Sequence, residues 1–215
     1  MATEDAIHIT SKEFLSLMYD RKWSLVLPYI SPTSKLSDFE KKSLIMYQDS
    51  VGNTSLHLAS RYQSKDADVG EDRKNGDVVD GGAAPWNFTK ILLSIGGADL
   101  LSKKDKYGRT ALHDACRHGA PSKLIKTYLQ KGKKELLMEQ DVAQGDTALH
   151  LLIDNVEKHS KPLEVIQLLT NKGGHKLKTI LNGNNQTAFD LAVENGSQED
   201  VKVLVKCSKS GCFCF

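Results

Sequence analysis

A chain of 215 residues can form one sizeable core or one array of stacked small units. Its 40% hydrophobic and 26% charged residues are the balance of an ordinary soluble globular protein, and a net charge of +2 singles out no particular partner. No run approaches the ~18 consecutive apolar residues of a membrane span. Four cysteines, three of them among the last nine residues, suggest no disulfide framework. The acidic opening MATEDAIHIT reads as no secretory signal, so the expected compartment is intracellular, cytoplasmic or nuclear.

In chain order, Thr10 to Glu13 reads as a capping box with Phe14, Leu17 and Met18 as the apolar stripe behind it. A second stripe follows at Trp23, Val26, Leu27 and Ile30, with Pro28 expected to end or bend the helix. Residues 31–48 read as a connector in which Ser37 to Glu40 opens one short helical turn. Next comes a pattern that recurs. Asp105 to Gly108 is a turn signal, Thr110 an N-cap, Leu112, Ala115 and Cys116 a helical stripe, and Gly119 a stop. Copies start at Asp49 (with Thr54, Leu56, His57), at Gly145 (with Thr147, Leu149, His150) and at Asn185 (with Thr187, Phe189, Asp190). Each is followed by a second apolar stripe: Phe88 to Ile95, Leu124 to Leu129, Val165 to Leu169, and Val201 to Val205. A turn with two short helices cannot bury its apolar face alone and needs copies of itself.

The four copies resemble the T-P-L-H-x-A signature of the ankyrin-repeat family, whose period is about 33 residues. The resemblance implies an all-α fold, an ankyrin-repeat α-solenoid of about four repeats over residues 49–206. A degenerate N-terminal helical capping repeat with its connector would fill residues 1–48, an unrelated helical hairpin being the alternative, and a Cys-rich tail would fill 207–215. The chain departs from the pattern in several places. Thr54 and Thr110 lie 56 positions apart, which leaves an inserted polar loop at 64–84, and Thr147 and Thr187 lie 40 apart, with extra residues at 156–161. Leu152 stands where the other copies have Ala59, Ala115 and Ala192, so the closest helix approach is in question there. Asn185 replaces the turn glycine, a residue that also tolerates the left-handed region. Asp190 replaces the signature histidine.

By the same resemblance, Thr54, His57, Thr110, His113, Thr147, His150 and Thr187 are the signature positions at which Thr and His hydrogen-bond one another and the adjoining hairpin, stiffening each turn. One histidine per unit places them in successive layers, so the expectation is no metal site. No nucleophile elbow, Walker loop or paired-Cys motif occurs, and the expectation is no catalytic residue, no cofactor and no enzyme. The family implies instead a non-enzymatic module that binds another protein through a concave face of turn tips and inner helices. On the tips that face would carry Lys103, Lys104, Lys106 and Tyr107, and on the inner-helix ends Arg61, Tyr62, Arg117, His118, Asp154 and Asn155. A merely solvated lysine turn is the plainer reading of the first group. No small-molecule substrate is expected, nor nucleic acid, because the bases are offset by acids and no aromatic platform is interleaved. Cys212-Phe213-Cys214-Phe215 fits a C-a-a-X box, and a lipid on Cys212 would make the chain a membrane-localised adaptor.

Overall fold

The computed structural model describes residues 9–62 and 86–207. These are all-helical, with eleven α-helices and no named strand among the described residues. The first is α1, Ser11–Tyr19, opened by a full capping box: the Glu13 amide donates to Thr10 Oγ1 and the Thr10 amide to Glu13 Oε2. Helix α2, Trp23–Ile30, runs two residues past Pro28 before Ser31 ends it. The expected break at the proline is thus displaced to the helix end. The connector contains more than a turn. Helix α3, Asp38–Met46, extends over nine residues behind a second capping box of Ser37 and Glu40.

From here turn and helix alternate. Helices α4 (Ser55–Arg61), α6 (Ala111–His118), α8 (Ala148–Asp154) and α10 (Ala188–Glu194) each begin after one of the four threonines. Helices α5 (Trp86–Leu101), α7 (Ser122–Lys131), α9 (Pro162–Lys178) and α11 (Glu199–Val205) are their packing partners. The longer α5 and α9 each contain one non-helical residue, Gly97 (φ 53°) and Gly174 (φ 65°), where the chain bends towards the next turn. Both conformations lie in the region that a Cβ penalises, which explains the glycine.

The helices form two rows. In one, α4 packs on α6, α6 on α8 and α8 on α10; in the other, α5 packs on α7, α7 on α9 and α9 on α11. Helices α1 and α2 extend the rows at the N-terminal end, α1 against α4 and α2 against α5, while α3 lies along α5. The core runs between the rows without interruption, from Phe14 and Trp23 through Leu56, Leu112 and Leu149 to Val205. Each such side chain contributes about 1.5–3 kcal/mol by leaving water. Leu152 is fully buried, and α8 still packs on both neighbours, so the larger residue is accommodated. A polar link also crosses the core, where Ser60 Oγ and the fully buried Tyr128 hydroxyl lie 2.6 Å apart.

Candidate functional site

Four turn tips precede the inner row, and each is folded by one side-chain oxygen. Asp49 Oδ1 accepts from the amides of Val51 and Asn53 at 2.8 and 2.9 Å, and Asp105 Oδ1 from those of Tyr107 and Arg109 at the same distances. Asp141 Oδ1 accepts from Gln144 and Asp146, and Asn182 Oδ1 from Asn184 and Gln186. Successive tips are then joined by one main-chain bond each: Lys106 N–H to Val51 O (2.7 Å), Val142 N–H to Tyr107 O (2.8 Å) and Gly183 N–H to Gln144 O (2.6 Å). At Gly52 (φ 84°) a Cβ would stand 2.9 Å from Asp105 Cα, so the close approach of the first two tips needs glycine there. Asn185 adopts φ 57°, the left-handed conformation its type tolerates.

Behind each tip lies a threonine–histidine pair. In the first, the Thr54 amide donates to His57 Nδ1 at 3.1 Å and the Thr54 hydroxyl lies 2.8 Å from the same nitrogen. Thr110 with His113 and Thr147 with His150 repeat this geometry. An amide can only donate, so Nδ1 is the bare nitrogen and Nε2 carries the proton. Each Nε2–H then donates forward into the next unit: His57 to Arg109 O (3.0 Å), His113 to Glu139 O (3.1 Å) and His150 to Gln186 O (3.1 Å). Burial holds the His113 and His150 rings below their ordinary pKa, in keeping with the neutral tautomer these bonds require. Both ring nitrogens are therefore used in structure. At the fourth tip Asp190 Oδ2 accepts from the Thr187 amide and hydroxyl at 2.9 and 2.6 Å, but a carboxylate only accepts and has no N–H to donate onward to a carbonyl.

Several residues expected to meet a partner are engaged internally. Arg61 pairs with the buried Asp114 at 3.0 Å and donates to Asn53 Oδ1. Tyr62 lies under the Arg21 guanidinium, 4.4 Å from its ring centroid, and meets Trp23 in an inclined edge contact, ring centroids 6.2 Å apart. His118 Nδ1 lies 2.9 Å from Asp114 O, and burial lowers its pKa. The Asn155 amide closes the end of α8 on Leu151 O. Arg117 is half-buried, and Asp154 is exposed. On the second tip, Lys104 forms an ion pair with Glu139, and Arg109 pairs with the fully buried Asp141 carboxylate at 3.1 Å. Although burial pushes the Asp141 carboxyl up, donors from Gln144, Asp146 and Arg109 outweigh it and hold the group below its ordinary value. Tyr107 remains exposed, with Lys106 Nζ 4.9 Å from its ring centroid. Lys103 is half-buried and Lys106 exposed.

The structure gives two features of the tips a definite geometry. Val142 is 74% exposed on the third tip, bonded through its amide to Tyr107, so the two form an apolar step beside the lysines. An apolar residue at a tip position otherwise held by Ser50, Lys106 and Gly183 was the available signal. The other is a pair of glutamine clamps. Gln48 Nε2 donates to Gly52 O and Lys104 O, and Gln140 Nε2 to Gly145 O and Leu181 O, so each ties its own tip to the next unit. Among the described residues, no group of three or more His, Cys, Asp or Glu is arranged to hold a metal, and no helix is long and apolar enough to cross a membrane. The loop at 64–84 and the Cys212 box lie outside the described residues.

No family model matches the chain. It is similar to the NAD-dependent deacetylase sir2B of Dictyostelium discoideum, with 28% identity over 157 residues that take in 59% of this chain. The chain spans about a fifth of that relative's length (20%). This likeness corrects one expectation. A stretch shared with a protein named as an enzyme overturns the reading of the chain as no enzyme, which rested on missing motifs, on layered histidines and on the family resemblance.

Proposed function

We propose that the chain is an ankyrin-repeat solenoid that recognises another protein through its turn tips. The observation that carries this is the joining of the four tips by main-chain bonds, which holds their outward side chains at fixed spacing. Prepaid rigidity of this kind favours binding, because little loop entropy remains to be lost. The anchor would be the Tyr107–Val142 step, and the charge would come from Lys103 and Lys106, which suit an acidic partner with an apolar contact. Arg61 and Tyr62 leave the binding set, since both hold units together.

The test is affinity capture with three forms of the full chain: wild type, Tyr107→Ala with Val142→Ser, and Lys103→Glu with Lys106→Glu. Circular dichroism checks that each is folded. Loss of the same protein from both variants supports the reading. Retention of that protein on both excludes the tips.

The relative's name favours a second reading, in which the chain takes part in NAD-dependent deacetylation. Among the described residues no strand-to-helix phosphate turn occurs: they are all-helical, and Gly173-Gly174 falls within α9. In this reading the array serves as the recognition part beside a deacetylating unit. Incubating the chain alone with NAD and an acetylated peptide tests it. Turnover above the blank would make the chain an enzyme in its own right.

A further inference from the structure

At the opposite end of the inner helices from the tips, about 10 Å away along α8, the third and fourth units enclose a groove of about 910 Å³. It is built by the extra residues after α8. A short 3-10 turn, Val156–Lys158, folds back towards the second unit. His159 Nε2 donates to Cys116 O at 2.7 Å, and Lys158 O comes so near Gly119 that a Cβ there would lie 2.2 Å from it. Held on that side, the inserted residues leave open the space before the Asn195–Gln198 turn.

The walls have a definite chemistry. Val156, Leu163 and Val201 give an apolar floor, and Asp154, Glu157 and Glu164 place three carboxylates on the lining against one ammonium, Lys161. Ser197 lines the same space, and its hydroxyl is out of water with no hydrogen-bond partner. The N-terminus of α9 also opens here, but Glu164 stands in its first turn and already supplies the negative charge that end favours. Anions are thereby disfavoured. The volume is at the upper end for a small ligand and suits two or three side chains of an extended segment.

We propose that this groove binds a segment of a partner protein in which lysine or arginine alternates with aliphatic residues. The cations meet Asp154, Glu157 and Glu164, and the aliphatic groups cover the floor. This site is separate from the tips, so its failure would leave the tip reading standing.

The probe is a fluorescein-labelled Leu-Arg-Leu-Arg-Leu peptide added to the full chain. Anisotropy gives affinity, and amide chemical shifts give location. Saturable binding is expected, with shifts confined to residues 153–164 and 195–201. Glu157→Lys with Glu164→Lys, both exposed positions, should weaken it by about tenfold or more, while Lys103→Glu should not. A Leu-Glu-Leu-Glu-Leu peptide should not bind. Absence of saturation, shifts centred on the tips, or equal affinity in the double variant would each overturn the proposal. The shift map on the wild-type chain decides the matter even if a variant fails to fold.

Discussion

The first turns of α6 and α10 share a plan, a threonine followed three positions on by an acceptor, yet they do different work. In α6 the acceptor is His113, whose second nitrogen donates to Glu139 in the next unit. In α10 it is Asp190, which satisfies Thr187 and stops. The same distinction separates His57 and His150 from Glu13 and Glu40, whose carboxylates close the capping boxes of α1 and α3. A carboxylate caps a helix; an imidazole caps it and couples it to its neighbour. Burial differs accordingly, for His113 is fully buried and Asp190 is exposed.

The largest expected effect lies in the coupled middle. Leu112 is fully buried in α6, which packs on both α4 and α8, so Leu112→Ala should cost about 2–5 kcal/mol in urea denaturation. An unchanged midpoint would mean that the rows do not pack as described. Next comes His113→Ala, which strips partners from the Thr110 amide and hydroxyl and from Glu139 O, and should cost roughly 2–3 kcal/mol. His113→Asp sharpens the comparison. It should restore the cap but not the forward bond, and so recover only part of the loss. Full recovery would show that the link between units contributes nothing.

The pH response should divide the two regions by window. His113 and His150 are held below the ordinary 6.5, so the unfolded chain takes up their protons first. Their contribution is complete above about pH 6.5 and drains as pH falls below it. Asp190 is held below 3.8 by the Thr187 side-chain and backbone bonds, and the Thr10 backbone bond holds Glu13 below 4.5, so those contributions persist until the solution is distinctly more acidic. Urea midpoints should therefore fall between about pH 7 and 5.5 in the wild-type chain and less in His113→Gln with His150→Gln. Equal slopes would remove the histidines as the cause. The smallest effect belongs to the end: Thr187→Ala, a half-buried cap bonded to the exposed Asp190, should cost only about 0.5–1 kcal/mol.

Much of this was legible in the chain because it depends on near neighbours. The Thr-x-x-His spacing, the aspartate at the tip and the asparagine at Asn185 act within four residues of themselves; the first two form the local bonds their positions suggest, and Asn185 takes the left-handed conformation its type tolerates. What could not be read depends on distance. Arg61 looks like a free inner-helix end until Asp114, 53 residues on, is brought beneath it. Lys104 looks like a steering charge until Glu139 folds against it. Helix α3 was underestimated because its stripe is short: Leu44 and Ile45 are buried, but the third buried position is Lys41, and no pattern of apolar residues marks it. The absence of catalytic motifs proved a weak guide to enzyme character, since local patterns say little about what a repeat array accompanies.

The tip-to-tip bonds have one more consequence. Exposed turns ordinarily trade their amide protons with water fastest. Here Lys106, Val142 and Gly183 each lend that proton to the preceding tip. In deuterated solvent these three amides should exchange slowly, at rates set by the parting of whole units. Ser50, at the same place in the first tip, has no such turn before it among the described residues and should exchange at once. The slowest and fastest protons of the turns would then mark out how many neighbours each tip has.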